Sequence, residues 1–315
     1  MKQIRRISGM FLVEVEKANG NGEGNDGTPR LDDENFGLIL PPSLKRKFLD
    51  LFEDHESPAF VEIMDRLKNL NVNPDTLWIL NSVEKGFKCG EGDPGTRAMR
   101  AKEFVKKIPL NELCSRYYDM RVVGSGAAEE KKNEDDKKKG NGGFKCFKTG
   151  VITMSPLRSV CPVEVQSFEG SRKVSWRSDV LEGGTTTDRG MAYTYVKHGL
   201  YVGTFTINPA YAHRTMTTDL DIEIFKRTIP FVYSANESAT RPGGSVRFVH
   251  IWFAEHEGVL QTFDEQGFWN ALMPKRLGDN SNLPSTSLAD YDIPTKVVGV
   301  NLIDLNECFS AVKKP

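Results

Sequence analysis

Cysteine and histidine are both scarce here, five of each in 315 residues. Cys89, Cys114, Cys146, Cys161 and Cys308 are widely separated and contain no Cys-x-x-Cys pair. That excludes a disulfide framework and points to free thiols in a reducing, cytoplasmic compartment. The closest useful histidine pair, His250 and His256, is spaced six apart, which matches no common metal-site pattern, so no metal and no cofactor is expected. Nowhere do about 18 apolar residues follow one another, so no spanning helix and no membrane partner are expected. The basic residues Lys2, Arg5 and Arg6 precede a stretch broken by Ser8, Gly9 and Glu14, which lacks the apolar core of a signal peptide. Neither charge sign predominates: 42 basic and 43 acidic side chains leave a net charge of −1. A surface for a polyanion must therefore be a local basic stripe.

What is present reads as an ordinary globular chain, 38% hydrophobic and 27% charged. At this length about 75% of the unfolded surface is buried on folding, enough for one large domain with insertions. Met10 to Val15 has the dense apolar pattern of a buried strand. It runs into Asn19-Gly20-Asn21-Gly22-Glu23-Gly24-Asn25-Asp26-Gly27, a loop whose glycines permit close backbone approach. Pro41-Pro42-Ser43 opens a helix with Ser43 as the expected N-cap. Its stripe of Leu44, Phe48, Leu49 and Phe52 leaves Lys45, Arg46 and Lys47 on the polar side. Further helical blocks are expected at Ser57–Leu70 and Thr96–Cys114, making residues 50–115 a helical insertion. Residues 127–143, alternating Glu/Asp with Lys between glycines, read as a mobile charged insertion.

The second half turns β-rich. Gly199–Ile207 carries the β-branched and aromatic residues of a strand. Arg247–Glu255 alternates as a central strand, and Asp219–Tyr233 has helical spacing through Leu220, Ile224 and Ile229. Strand, helix, strand, added to the N-terminal strand-loop-helix, predict an α+β fold of the ferredoxin-like kind, which many RNA-recognition domains share.

Four ordered blocks then resemble one family. They are the Asn19–Asp32 loop with Pro29-Arg30-Leu31-Asp32 ahead of Leu44-Lys45-Arg46-Lys47; Arg116–Gly124; Lys148-Thr149-Gly150-Val151 with Arg158-Ser159; and Gly199-Leu200-Tyr201. Together they are similar to the backbone subunit of type I CRISPR Cascade complexes, in the RAMP superfamily and closest to subtype I-C. The resemblance implies a single RNA-recognition-like palm across residues 1–315. It also implies a helical finger at 50–115 and a long β-hairpin thumb at 163–196. Copies of such a subunit stack along a guide RNA with other Cascade subunits, and each thumb turns out one base. The guide stays free to pair with target DNA, without catalysis by this subunit.

The resemblance points to RNA contact by Asn21, Arg30, Lys45, Arg46, Lys47, Lys148, Thr149 and Arg158. A solvated helix face is the plain alternative for Lys45-Arg46-Lys47, and a carboxylate pair is the alternative for Arg158. Ala192 and Tyr193 stand where the family carries adjacent basic residues, so Arg189 or Lys197 takes that contact. In the thumb, Trp176, Leu181 and Met191 are the wedge candidates, with Met191 preferred and hairpin packing the alternative for Trp176. A competing reading is a type III-like subunit that cleaves target RNA through metal bound by Asp26, Asp32 or Asp33, although loop carboxylates are ordinarily solvated turn formers.

Overall fold

The computed structural model describes residues 4–23, 27–80, 114–128, 145–171, 190–278 and 282–309, with backbone alone at 125–128, 145–148, 169–171 and 190–192. The strands are β1 (Ile7–Ala18), β2 (Phe36–Ile39), β3 (Gly124–Ala128), β4 (Lys145–Thr149), β5 (Ile152–Met154) and β6 (Leu157–Pro162). They continue with β7 (Val165–Ser171), β8 (Gly190–Ile207), β9 (Val246–Glu255), β10 (Lys275–Arg276), β11 (Tyr291–Asp292) and β12 (Ile303–Asp304). The helices are α1 (Pro41–Asp50), α2 (Pro58–Leu67), α3 (Tyr118–Val122), α4 (Ala212–Thr215), α5 (Asp219–Thr228), α6 (Glu265–Leu272) and α7 (Leu305–Phe309).

The main sheet runs β12-β9-β1-β8-β6-β2, with β5 and β7 also pairing β8. Because β1 is antiparallel to both β8 and β9, those two strands are parallel to each other with β1 inserted between them. The connection β8–α5–β9 is thus a split βαβ unit. The strands β1 and β6, both antiparallel to β8, form a second one around α1. This is the α+β topology expected from the sequence. The expected central strand is misplaced, however: β9 lies next to the sheet edge, with only the two-residue β12 outside it, and β1 takes the central position. β1 is buried over its first nine residues because both of its faces are covered. Phe11, Val13 and Val15 enter one apolar cluster with α1 and α5, while Met10 and Leu12 enter a second with Phe268 and Leu272 of α6.

Helices α1, α2, α3 and α5 pack on the first face, and α6 on the second. Phe48 of α1 meets Phe225 of α5 edge-on at 5.3 Å, and Phe225 meets Phe205 of β8 at 6.0 Å. Thr218 caps α5 in a capping box with Asp221. Ile222, Ile224, Phe225, Ile229 and Val232 are buried, but Leu220, expected in the stripe, is exposed. It sits in the first turn, on the side away from buried Asp221 and Ile222. Ser43 is not the cap of α1 either. Leu40 holds that position, with Pro41 and Pro42 in the first turn, where a missing N–H removes nothing from the helix.

β7 and β8 pair from Val165↔Val196 to Ser171↔Gly190, so both arms of the hairpin expected at 163–196 are strands. Residues 172–189, with Trp176, Leu181 and Arg189, lie outside the described residues. Within 50–115, α2 is followed by short helical turns at Lys68–Leu70 and Pro74–Thr76; 81–113, most of the expected Thr96–Cys114 helix, lie outside the described residues. Of the charged insertion, residues 127 and 128 end β3, and 129–143 lie outside the described residues.

Candidate nucleic-acid interface

The Gly-rich loop leaves β1 at Asn19 and folds back on itself, with Asn19 Nδ2 donating to the Gly27 carbonyl at 2.6 Å and Gly22 bridged to Pro29. A Cβ at Gly22 would lie 3.0 Å from the Gly27 carbonyl oxygen, a tight contact that glycine avoids. Asn21 then bridges loop and helix: its Oδ1 accepts from the Leu40 N–H at 2.9 Å, at the entry to α1.

Between this loop, α1 and the turn 235–241 lies a cleft of about 600 Å³. Asn21 and Gly22 line it from the loop, Arg46, Lys47 and Asp50 from α1, and Asn236, Glu237 and Arg241 from the turn. The turn is fixed to the helix, since Asn236 Nδ2 donates to the Lys47 carbonyl at 2.9 Å. It is also fixed to the loop, where the Asn19 N–H donates to the Thr240 carbonyl at 2.9 Å.

Three cations face two carboxylates in this cleft. Lys47 is buried and donates to Ser43 Oγ at 2.6 Å. Burial first, then repulsion from Arg241 and Arg46, push its ammonium down to about 8, against the opposing pull of Asp50. Burial likewise holds the Arg241 guanidinium below its usual range, helped by Arg46. Arg46 is exposed and reaches Asp50 only at 3.9 Å. Burial and mutual repulsion disfavour the charged forms, and an anion placed among these groups would offset the repulsion.

Of the residues singled out from sequence, the cleft brings together Asn21, Arg46 and Lys47. The expectation that all three residues 45–47 lie on a polar face fails for Lys47, which is buried because α1 is covered on that side by the 235–241 turn. Lys45 is half-buried and does not line the cleft; burial lowers its pKa. Arg30 pairs with Glu23 at 3.0 Å. Arg158 takes its carboxylate alternative: Nε meets Asp32 at 2.7 Å, a second nitrogen meets Glu34 at 2.6 Å, and the guanidinium lies 3.6 Å over the Phe36 ring. Lys197 pairs with Glu164. Thr149 is exposed at the end of β4, opposite Gly124. Lys148 and Met191 are in strands, and their side chains lie outside the described residues, as does all of Arg189.

Of the Arg116–Gly124 block, residues 117–123 turn out to be core, while Arg116 is exposed. Tyr118 donates to the Asp221 carbonyl at 3.0 Å, and Arg121 pairs with Asp221 at 2.9 Å with both side chains buried. Asp119 accepts from the Leu80 and Met120 amides, while burial pushes its carboxyl up to about 6. Sequence reasoning missed Asn236 and Arg241. Both lie in a turn some 190 residues from α1 along the chain, and only the fold makes them neighbours.

The split βαβ sheet, with a cleft where Arg46, Lys47 and Arg241 converge, defines an α+β protein. The family model for CRISPR-associated protein Cas7 matches residues 5–296, and the chain belongs to that family. Two solved structures are similar. One is a chain described as "CRISPR RNA-guided surveillance complex, pre-nicking", 12% identical, with a TM-score of 0.42 over 79% of this chain and 78% of that one. The other, from a "CRISPR RNA-guided surveillance complex", is 9% identical, with a TM-score of 0.38 over 79% and 68%. No curated protein matches the sequence. Among the described residues, no helix is long and apolar enough to cross a membrane.

Proposed function

We propose that this chain is the CRISPR RNA-binding backbone subunit of a type I surveillance complex, closest to subtype I-C. Copies assemble side by side along one guide RNA with other Cascade subunits and hold the guide for pairing with target DNA. The observation that carries the reading is the cleft itself. Arg46, Lys47 and Arg241 converge with Asn21 at the junction of the Gly-rich loop and α1, in a chain whose family is CRISPR-associated. Such a site takes a phosphodiester, because phosphate contacts fix register while leaving the bases free. The β7–β8 hairpin is the thumb of this reading, the split βαβ sheet its palm, and residues 50–115 its finger.

The subunit does not cut RNA in this reading. Asp32, a candidate metal ligand, is already held by Arg158 and by the amides of Glu34 and Phe36. Periodic cleavage of complementary RNA in Mg²⁺, abolished by Asp33→Ala, would overturn this assignment.

The test of the cleft is the double variant Arg46→Ala with Arg241→Ala. Guide affinity falls and the slope of log affinity against log salt drops by about 0.7 per lost phosphate contact. Unchanged affinity and slope in a folded double variant remove the cleft from the RNA path.

A further inference from the structure

His250 on β9, Asp304 at the end of β12 and Glu307 on α7 each place one ligand-capable atom within 4.8 Å of the other two. None of the three lines the cleft. Two of them are aimed from behind. Asp304 Oδ1 accepts from the Ile251 and Asn306 amides at 3.0 and 2.9 Å, which turns Oδ2 toward His250 Nδ1 at 2.6 Å. The His250 ring is held by stacking on Trp252, 4.7 Å between centroids. Supports of this kind behind the ligands are what orient a metal site.

Asp304 is satisfied by two amides and the His250 ring, not by a basic side chain. Two carboxylates share the space, and among the described residues neither forms an ion pair with a lysine or arginine. Glu307 is exposed and accepts no hydrogen bond among the described residues. Two carboxylates that meet an imidazole and no basic side chain among the described residues favour a cation.

We propose that His250, Asp304 and Glu307 are a three-ligand site for a divalent transition metal of the zinc class. The imidazole selects against Mg²⁺ and Ca²⁺, which prefer all-oxygen sets. At metal–ligand distances of about 2.0–2.2 Å, tetrahedral ligand atoms stand roughly 3.4 Å apart. His250 and Asp304 therefore separate by less than about 1 Å, and the exposed Glu307 side chain swings in, leaving a fourth position to water. The site has a structural purpose. Among the described residues, the outer edge of β9 is paired with just two residues of β12, Ile303↔Phe253 and Asp304↔Trp252. The metal clasps the β12–α7 segment onto that edge, adding to the Asn306 Nδ2 bonds to the Phe248 and Val249 carbonyls and to buried Leu305.

The experiment uses the full, untagged chain, freed of metal by a chelator and titrated with zinc chloride in a calorimeter. One zinc ion binds per chain, excess Mg²⁺ does not displace it, and the thermal midpoint rises. Glu307→Gln, a change at an exposed position, weakens binding by at least about tenfold, and His250→Ala abolishes it. Zinc also slows alkylation of the exposed neighbour Cys308, followed by peptide mass. Two results overturn the site: no saturable zinc binding, or zinc binding whose affinity Glu307→Gln leaves unchanged. The second remains decisive even where His250→Ala disrupts β9.

Discussion

Lys47 shows how far a side chain's role departs from its sequence neighbourhood. Beside Lys45 and Arg46 it reads as one more surface cation, yet it is buried between α1 and the 235–241 turn. Its ammonium is pushed down to about 8 by burial and by Arg241 and Arg46. The sign follows directly. The folded protein disfavours the protonated form, so Lys47 destabilises the fold fully below pH 8, and the penalty is relieved as pH rises from about 8 toward the unfolded value of 10.5. A phosphate in the cleft reverses the preference and draws a proton onto Lys47. Guide RNA affinity should therefore fall as pH rises through about 8, measured by filter binding at constant salt, and Lys47→Met should lose that component. An identical pH profile in Lys47→Met would show that no phosphate reaches it. Arg158 is the opposite case. The sequence left it between RNA and a carboxylate partner, and two carboxylates with the Phe36 ring hold it.

At the scale of elements, α1 ties the cleft to the core. One side presents Arg46 and Lys47 to the cleft, while the other buries Leu44 and Phe48. Phe48 touches the rings of Phe52, Tyr118 and Phe225, so it couples the helix to both α3 and α5. Phe48→Ala should cost about 3–5 kcal/mol, the range for removing a buried aromatic. The checking measurement is the urea midpoint at unchanged slope; a loss below about 1 kcal/mol would mean that α1 is not anchored through this residue. The helix pattern was legible because its apolar spacing has one period. Its cap was not, because the Leu40 amide is held by Asn21, 19 residues earlier, instead of by a local side chain. The same limit hid the edge position of β9. Alternation shows that a strand is half-buried or buried, but neighbours in the sheet are set by pairing partners far along the chain.

At the scale of the whole molecule, the proposed function predicts assembly. Protein expressed with a CRISPR array should co-purify as multimers on an RNA of discrete length, and nuclease footprinting should show protection in regular steps. A monomer with an irregular footprint would instead make the chain a general single-strand binder, because aromatic and basic grooves of that kind bind without register.

The sequence by itself determined the α+β class, the main strands and helices, and the Gly-rich loop ahead of a basic helix. Those depend on local periodicity, turn chemistry and the order of short blocks. The family was legible in the same way, since the four blocks keep their order along the chain. Only the tertiary structure decided which cations converge. It brought Arg241 and Asn236 to Lys47, withdrew Arg30, Arg158 and Lys197 into ion pairs, and set His250 beside Asp304, 54 residues away. The physical reason is that charge acts over a few ångströms of space, and sequence separation carries no information about that distance until the sheet has closed.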